Sequence, residues 1–255
     1  MKGIIERLLI VLFSVIVLGA SAQDRIKIWP DWSMKDAEKI LNDSPWGQTQ
    51  VQADAQQMFP NLAVSNMDIL YGAAAPRMDD RYQRTPPPDL TNSVDYYIRF
   101  LSAKPIRQAY ARITELQQPN ANPQLLQGLR DFVASKFSQE IVVAVAFESK
   151  NNPRFTGPVM LLFKGATLST LKHDTYLDLD NGKRIFLEDY KAPGSDGLGA
   201  KFIFPRTVNG VPVITAQSGE VRFFAKLTSK NASKPLIINM RFKVGNFKYE
   251  GSLEY

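Results

Sequence analysis

The sequence contains no cysteine. Thiol catalysis, disulfide bonds and every metal site with cysteine ligands are therefore excluded. A chain of 255 residues, of which 44% are hydrophobic, can bury enough apolar surface to fold without disulfides. We therefore expect burial to stabilise the fold.

Histidine is nearly absent as well, since His173 is the only one. A catalytic triad would have to use this residue, yet it lies just before a predicted strand, where a solvent-exposed loop position is the simpler interpretation. A Gly-x-Ser-x-Gly nucleophile elbow is missing, because Pro193 stands where the pattern ending in Gly194 and Ser195 needs glycine. We therefore assign no catalytic residue and expect no cofactor.

The first 22 residues have the three parts of a secretory signal peptide. A short basic region precedes an apolar run over residues 8–18, and Ala20 and Ala22 form an A-x-A cleavage site. The run is shorter than the ~20 residues that a membrane-spanning helix needs. No cysteine follows it for lipid attachment. The sequence predicts a signal peptide over 1–22, a periplasmic or extracellular destination, and no membrane span after cleavage.

The formal charge is +6, and basic residues are spread among acidic ones. A diffuse positive balance is suited to an anionic envelope surface, although ordinary solubilising charge explains the same composition. The lack of a basic stripe, together with export, argues against nucleic-acid binding. The candidate partners are thus an envelope protein or an anionic surface.

The mature chain divides by composition into three parts. Residues 23–59 form an N-terminal helical segment. Residues 60–93 lack periodicity and contain three consecutive prolines at 86–88, so we expect a flexible linker or a long loop there. Residues 94–255 have the patterns of an α+β globular domain.

A capping box marks the short N-terminal helix. Ser33 and Asp36 have the spacing of an N-cap residue and its reciprocal partner, which predicts a helix over 34–41. Trp32 and Trp46 flank this helix. They are candidates either for a latch on the main domain or for an exposed contact with a partner.

Periodicity defines the elements of the globular domain. Apolar residues at helical spacing predict helices that begin near Lys104 and at Pro123, and these two form an antiparallel hairpin. Apolar or alternating patterns predict strands over 94–101, 141–147 and 220–227. A further buried helix is expected over residues 155–171, with an interruption at Gly165.

Three Asn/Gly pairs separate strand-like segments: Asn181-Gly182, Asn209-Gly210 and Gly245-Asn246. Two-residue turns with positive φ favour these residues, so three β-hairpins are predicted. We therefore expect an α+β fold in which the helical hairpin packs on one face of a largely antiparallel sheet, preceded by a short helix and a flexible linker.

Acidic residues are concentrated around the first of these turns. Asp174, Asp178 and Asp180, with Glu188 and Asp189 nearby, are candidate oxygen ligands for Ca²⁺. Their spacing does not match a calcium-binding loop, and an ordinary hairpin with acidic flanks explains the same residues. They support one alternative function, a carboxylate- or metal-dependent hydrolase.

A glycine-rich loop is the second candidate site. Gly194, Ser195, Asp196, Gly197 and Gly199 have the composition of loops that approach a ligand closely. The loop leads into a strand and lacks the glycine order of a nucleotide-binding loop. It is therefore either a structural loop or a loop that controls access of a ligand.

The C-terminal residues suggest another alternative. Phe247, Tyr249, Leu253 and Tyr255 alternate towards a terminal aromatic residue, as in the last strand of an outer-membrane-associated β protein. Gly251 interrupts the pattern, and the helical hairpin conflicts with it.

Four segments resemble a group of uncharacterised exported proteins from acidobacteria: Asp31–Trp46, Leu101–Ala109, Asp196–Arg206 and Ser218–Leu227. The similarity covers most of the mature chain except 60–93, and it implies export and a single unit, without any activity. The missing catalytic pattern and the Trp-flanked helix on a flexible tether favour a non-enzymatic envelope or secreted binding and interaction module.

Overall fold

The structure, a computed structural model, describes residues 28–52, 55–59, 93–230 and 232–255. The signal peptide expected over 1–22 and, apart from Ser93, the linker expected over 60–93 lie outside these residues. Within the described ranges, no helix has the length and apolar content that crossing a membrane requires.

The helices of the described residues are α1 (Met34–Asn42), α2 (Ala55–Met58), α3 (Lys104–Gln117), α4 (Pro123–Ala134), α5 (Thr156–Gly165) and α6 (Leu168–Leu171). Short 3₁₀ turns occupy Trp29–Asp31, Pro153–Phe155 and Val244–Asn246. The predicted capping box of α1 is confirmed, because the Asp36 amide donates to the Ser33 hydroxyl and the Asp36 carboxylate accepts from the Ser33 amide.

The strands are β1 (Gly47–Gln52), β2 (Val94–Phe100), β3 (Glu140–Glu148), β4 (Thr175–Leu179), β5 (Arg184–Phe186), β6 (Asp189–Lys191), β7 (Ala200–Pro205), β8 (Thr207–Val208), β9 (Val211–Pro212), β10 (Glu220–Leu227), β11 (Leu236–Lys243), β12 (Lys248–Tyr249) and β13 (Ser252–Leu253). They form a five-stranded sheet in the order β1-β2-β3-β7-β6 and a four-stranded sheet in the order β11-β10-β4-β5. The pairs β8-β9 and β12-β13 are separate. All pairings are antiparallel.

The α+β class is confirmed, but the expected single sheet is divided in two. The two larger sheets meet through aromatic side chains. Phe223 of β10 lies with its ring centroid 5.3 Å from that of Phe202 and 6.2 Å from that of Phe204, both in β7. Phe100 and Phe242 make an edge-to-face contact at 5.0 Å between the same sheets. All five rings are fully buried, so this interface is the centre of the core.

Helices cover part of the opposite face of the five-stranded sheet. Helix α1 packs along α3 and contacts β1 and β2. Arg99 of β2 fastens the end of α1 to the sheet, because its Nε donates to the Leu41 carbonyl at 3.2 Å and its Nη2 to the Asn42 side-chain oxygen at 2.7 Å. Burial lowers the pKa of Arg99 to about 10, which leaves the guanidinium charged at neutral pH.

The N-terminal segment is part of the main sheet, because its strand β1 pairs with β2 over six residue pairs. The pattern of residues 23–59 predicts only a helix, and this prediction is incomplete because β1 lies there as well. The glutamines of β1 explain its position at the sheet edge. Gln50 accepts a hydrogen bond from the Asn239 amide at 2.9 Å and donates to the Ile237 carbonyl at 2.8 Å, which joins β1 to the edge of the four-stranded sheet.

Two of the three predicted hairpins are confirmed: Asn181-Gly182 connects β4 to β5, and Asn209-Gly210 connects β8 to β9. The third is wrong, because Val244–Asn246 forms a 3₁₀ turn and the chain reverses later, at Glu250 and Gly251. Those two residues have φ of 48° and 80°, as a two-residue hairpin turn requires.

Candidate functional site

Two residues of the loop Pro193–Gly199 line a partly open cavity of about 390 Å³ between the helical hairpin and the five-stranded sheet. We call it the loop cavity. Its apolar lining consists of Leu101, Tyr110, Leu129, Phe132, Phe137, Val142, Leu198 and Ile203. Four charged residues complete the lining: Glu140, Lys191, Asp196 and Lys201.

The pairing of β3 with β7 and the packing of α3 against α4 position the residues that line the cavity. Val142 of β3 pairs directly with Ile203 of β7, so both side chains project to the same face and form the floor. Tyr110 of α3 and Phe132 of α4 make an edge-to-face contact at 5.8 Å above them. Leu198 is the buried residue of the loop, whereas Gly194 and Ser195 are exposed and do not line the cavity.

Asp196 holds the loop to the body of the domain. Its Oδ2 lies 2.6 Å from the Nζ of Lys201 on β7, and its Oδ1 accepts a hydrogen bond from the Leu198 amide at 3.0 Å. The Tyr110 hydroxyl donates to the Asp196 carbonyl. The loop is thus fixed to the sheet through a side chain and to α3 through its backbone.

The glycines of the loop have backbone roles at two positions. Gly197 and Gly199 have φ of 70° and 85°, values that other residues adopt with strain. At Gly199 a Cβ atom would also lie 2.2 Å from the Val145 carbonyl oxygen of β3. This position therefore needs glycine both for its conformation and for the close approach of loop and strand.

The surroundings of Asp196 and Tyr110 shift the pKa values of both groups. Burial by itself would raise the pKa of Asp196, but the hydrogen bonds from Lys201 and from the Leu198 amide, with the lysine charge, hold it below its usual value. Burial and the charge of Asp196 raise the pKa of Tyr110. At neutral pH Asp196 is therefore a carboxylate and Tyr110 a protonated phenol.

The predicted metal ligands are not brought together. Among the described residues, no group of three or more acidic or histidine side chains has an arrangement that could hold an ion. Each candidate carboxylate has its own partner instead, in the pairs Asp174–Lys226, Asp178–Arg222 and Asp180–Gly219. The three carboxylates thus form ion pairs and a hydrogen bond that stabilise the four-stranded sheet and its turn. His173 lies exposed in the turn before β4.

The two tryptophans that flank α1 are in the core. Trp32 is 8% exposed and Trp46 is 5% exposed, which leaves little indole surface for a partner. Trp46 stacks on Phe247, and its Nε1 donates to the Glu254 carbonyl at 2.7 Å. This geometry corresponds to the latch and not to the exposed contact considered from the sequence.

A second cleft, of about 910 Å³, was not anticipated from the sequence. Phe137 lines both it and the loop cavity. Its cationic lining residues are Lys104, Arg107, Arg130, Lys136 and Arg206. No linear pattern reveals them, because they come from α3, from α4, from the segment that follows α4 and from the residue after β7. We call this the basic cleft.

Comparison with known proteins gives no relative for this chain: no family model matches it, and neither curated proteins nor solved structures yield a match. Its function therefore has to be inferred from the geometry of its own cavities.

Proposed function

We propose that the protein is an exported, non-enzymatic binding module that holds a small, largely apolar ligand in the loop cavity. The observation that carries the proposal is an apolar cavity of about 390 Å³ under a loop that has a defined attachment to the sheet. Small-molecule sites are typically concave, mostly apolar and within the range of ~300–1,000 Å³.

The lining favours an apolar ligand because most of it has no hydrogen-bonding group. Phe132, Phe137, Leu129 and Ile203 offer only hydrocarbon surface. Water in such a space has few polar partners, so an apolar molecule gains free energy by replacing it.

Asp196, Lys201 and Tyr110 serve the loop, whereas Glu140 and Lys191 complete the polar part of the lining. Asp196 and Lys201 neutralise each other, and the Tyr110 hydroxyl is engaged by the loop backbone. A catalytic group has to keep a proton or a lone pair available for a substrate. This arrangement instead supports a role in opening and closing the cavity, which is a property of binding proteins.

A neutral apolar dye tests the proposal. N-phenyl-1-naphthylamine should bind the purified protein with an increase in fluorescence. Leu129→Trp places a larger side chain into the cavity and should abolish binding of the dye. Leu161→Trp is the matched control, because Leu161 is 64% exposed on α5 and does not line the cavity.

Equal dye binding by the parent protein and Leu129→Trp would contradict the proposal. Should Leu129→Trp fail to fold, as judged by its melting curve, Leu198→Trp fills the same cavity from the loop side. Binding that survives in a folded Leu198→Trp variant would count against the site in the same way.

The exported state is supported by the N-terminal pattern of residues 1–22. When the full chain is produced in a bacterial host, N-terminal sequencing of the exported protein should begin at Gln23. Protein that stays in the cytoplasm with Met1 retained would remove this part of the proposal.

A further inference from the structure

We infer that the basic cleft is a second binding site, which takes an oxyanion of the phosphate or carboxylate kind. The inference does not depend on the loop cavity, because it concerns a different space, different charged residues and a ligand of different chemistry. Its basis is an excess of positive charge that the described residues leave uncompensated.

The charge count of the cleft is clear. Five cationic side chains, Lys104, Arg107, Arg130, Lys136 and Arg206, and two carboxylates, Glu250 and Glu254, line it, which leaves a formal net charge of +3. A concave surface with charge of one sign concentrates counter-ions more strongly than a flat one.

Both acidic residues of the cleft make their hydrogen bonds with Lys104. Glu250 pairs with Lys104 at 2.6 Å, and the carboxylate of Glu254 accepts a hydrogen bond from the Lys104 amide at 3.1 Å. Among the described residues, no Asp or Glu side chain lies within ion-pair distance of the other four cations. A bound anion would supply the missing charge.

Arg107 is a buried cation in the wall of this cleft, with only 4% of its surface exposed. Its Nη1 donates to the Leu101 and Ser102 carbonyls and its Nη2 to the Ser135 carbonyl, while its Nε has no partner. Carbonyl dipoles fix the guanidinium without neutralising it, so its charge acts on the cleft. Burial lowers the pKa of Arg107 to about 10, and the group therefore stays charged at neutral pH.

Arg206 is held in place by the last residue of the sequence. Its Nη2 donates to the main-chain oxygen of Tyr255, and its Cζ lies 4.1 Å from the centre of the Tyr255 ring. An aromatic face orients a guanidinium while its remaining N–H groups keep their donor capacity.

The exposed cations Arg130 and Lys136 provide the groups that an entering anion meets first. Guanidinium groups bind phosphate and carboxylate through paired hydrogen bonds, and an ammonium group adds a point charge. A volume of about 910 Å³ exceeds that of a phosphate ion, so the physiological ligand is expected to carry this group on a larger body.

Isothermal titration with inorganic phosphate at low ionic strength tests the site. The parent protein should bind phosphate, and the double variant Arg130→Gln/Lys136→Gln should bind it about tenfold more weakly or worse, which corresponds to about 1.4 kcal/mol. The charge-matched control is Lys172→Gln/Lys183→Gln, which removes two exposed lysines outside the cleft. It should change affinity by less than about twofold.

Equal weakening by both double variants would overturn the inference, since it would show only a response to net charge. Absence of phosphate binding by the parent protein would overturn it as well. Because none of the four substituted residues lines the loop cavity, binding of the neutral dye should be the same in all three proteins. Loss of dye binding alone would therefore contradict the proposed function and leave the anion site standing.

A second experiment, with lipid vesicles, distinguishes a lipid headgroup from a soluble ligand as the source of the oxyanion. Vesicles of phosphatidylcholine with phosphatidylglycerol should retain the protein, and free phosphate should release it, if the ligand is a lipid headgroup. Binding of phosphate without retention on these vesicles indicates a soluble ligand. Retention that persists in Arg130→Gln/Lys136→Gln would mean that another surface contacts the lipid, and the cleft would lose this role.

Discussion

The ammonium group of Lys201 lies 2.6 Å from the carboxylate of Asp196 and joins the floor of the loop cavity to its cover. Lys201 belongs to β7 and is 17% exposed in its side chain, whereas Asp196 belongs to the loop and is 45% exposed. An ion pair of this exposure contributes less than about 1 kcal/mol to global stability because solvent screens it. Its effect is therefore expected on the position of the loop, and little on unfolding.

Acid should open the loop cavity. The pKa of Asp196 is lowered in the folded protein, so its carboxylate stabilises the closed loop fully above the ordinary aspartate pKa of about 3.9, and the contribution is lost as the pH falls through the lowered value. Dissociation of the neutral dye, followed by stopped-flow fluorescence, should be faster below the lowered pKa of Asp196 than at neutral pH.

Asp196→Asn should release the dye quickly at both pH values, because an amide cannot form the ion pair with Lys201. A pH dependence in this variant equal to that of the parent protein would assign the acid effect to another group.

Gly199→Ala should destabilise the whole domain. The new methyl group would lie 2.2 Å from the Val145 carbonyl oxygen, at a φ of 85° that alanine adopts with strain. We expect a loss of more than about 2 kcal/mol in the free energy of unfolding, measured with urea.

Gly194→Ala is the control for this substitution, because the nearest atom to its Cβ is 4.0 Å away and its φ is not positive. Its effect should stay within about 0.5 kcal/mol. Equal losses in the two variants would show that neither the contact with β3 nor the positive φ of Gly199 causes the effect.

Local chemistry explains the parts of the fold that could be predicted. Ser33 and Asp36 cap a helix through atoms three residues apart, and Asn181-Gly182 reverses the chain by its own backbone preference. The alternating pattern of β10 needs only the knowledge that one face is buried. Each of these features is specified within about ten residues of sequence.

The missed features depend on distant residues. Strand β1 carries glutamines where a sheet pattern needs apolar residues, and Gln50 is satisfied by β11, almost two hundred residues away in the chain. The reversal near Gly245 was misplaced because Phe247 is pulled into contact with Phe100. The loop of the candidate site could be recognised from its glycines, but the basic cleft could not, since its cations converge only in the fold.

Trp46→Phe should destabilise the protein by about 1–3 kcal/mol, because it removes a donor from the partly buried Glu254 carbonyl. The phenyl ring keeps much of the contact with Phe247 and Tyr249, so the lost hydrogen bond is expected to dominate. Urea unfolding followed by circular dichroism measures the change.

Trp29→Phe provides the comparison, because Trp29 is only partly buried against the core and its indole nitrogen has no hydrogen-bond partner among the described residues. Its cost should be below about 1 kcal/mol. A larger cost for Trp29→Phe than for Trp46→Phe would contradict the latch assigned to Trp46.

Phe223→Ala should destabilise the interface between the two larger sheets by about 3–5 kcal/mol, the usual cost of truncating a buried phenylalanine. Phe223 is fully buried between Phe202 and Phe204. Its neighbour Phe224 projects to the other face of β10, where it is half-buried and stacks on Tyr176 at 5.0 Å. Phe224→Ala removes the same atoms from the same strand and should cost clearly less. Comparable losses in urea unfolding would mean that both faces of β10 are equally covered, and the two-sheet core described above would be incorrect.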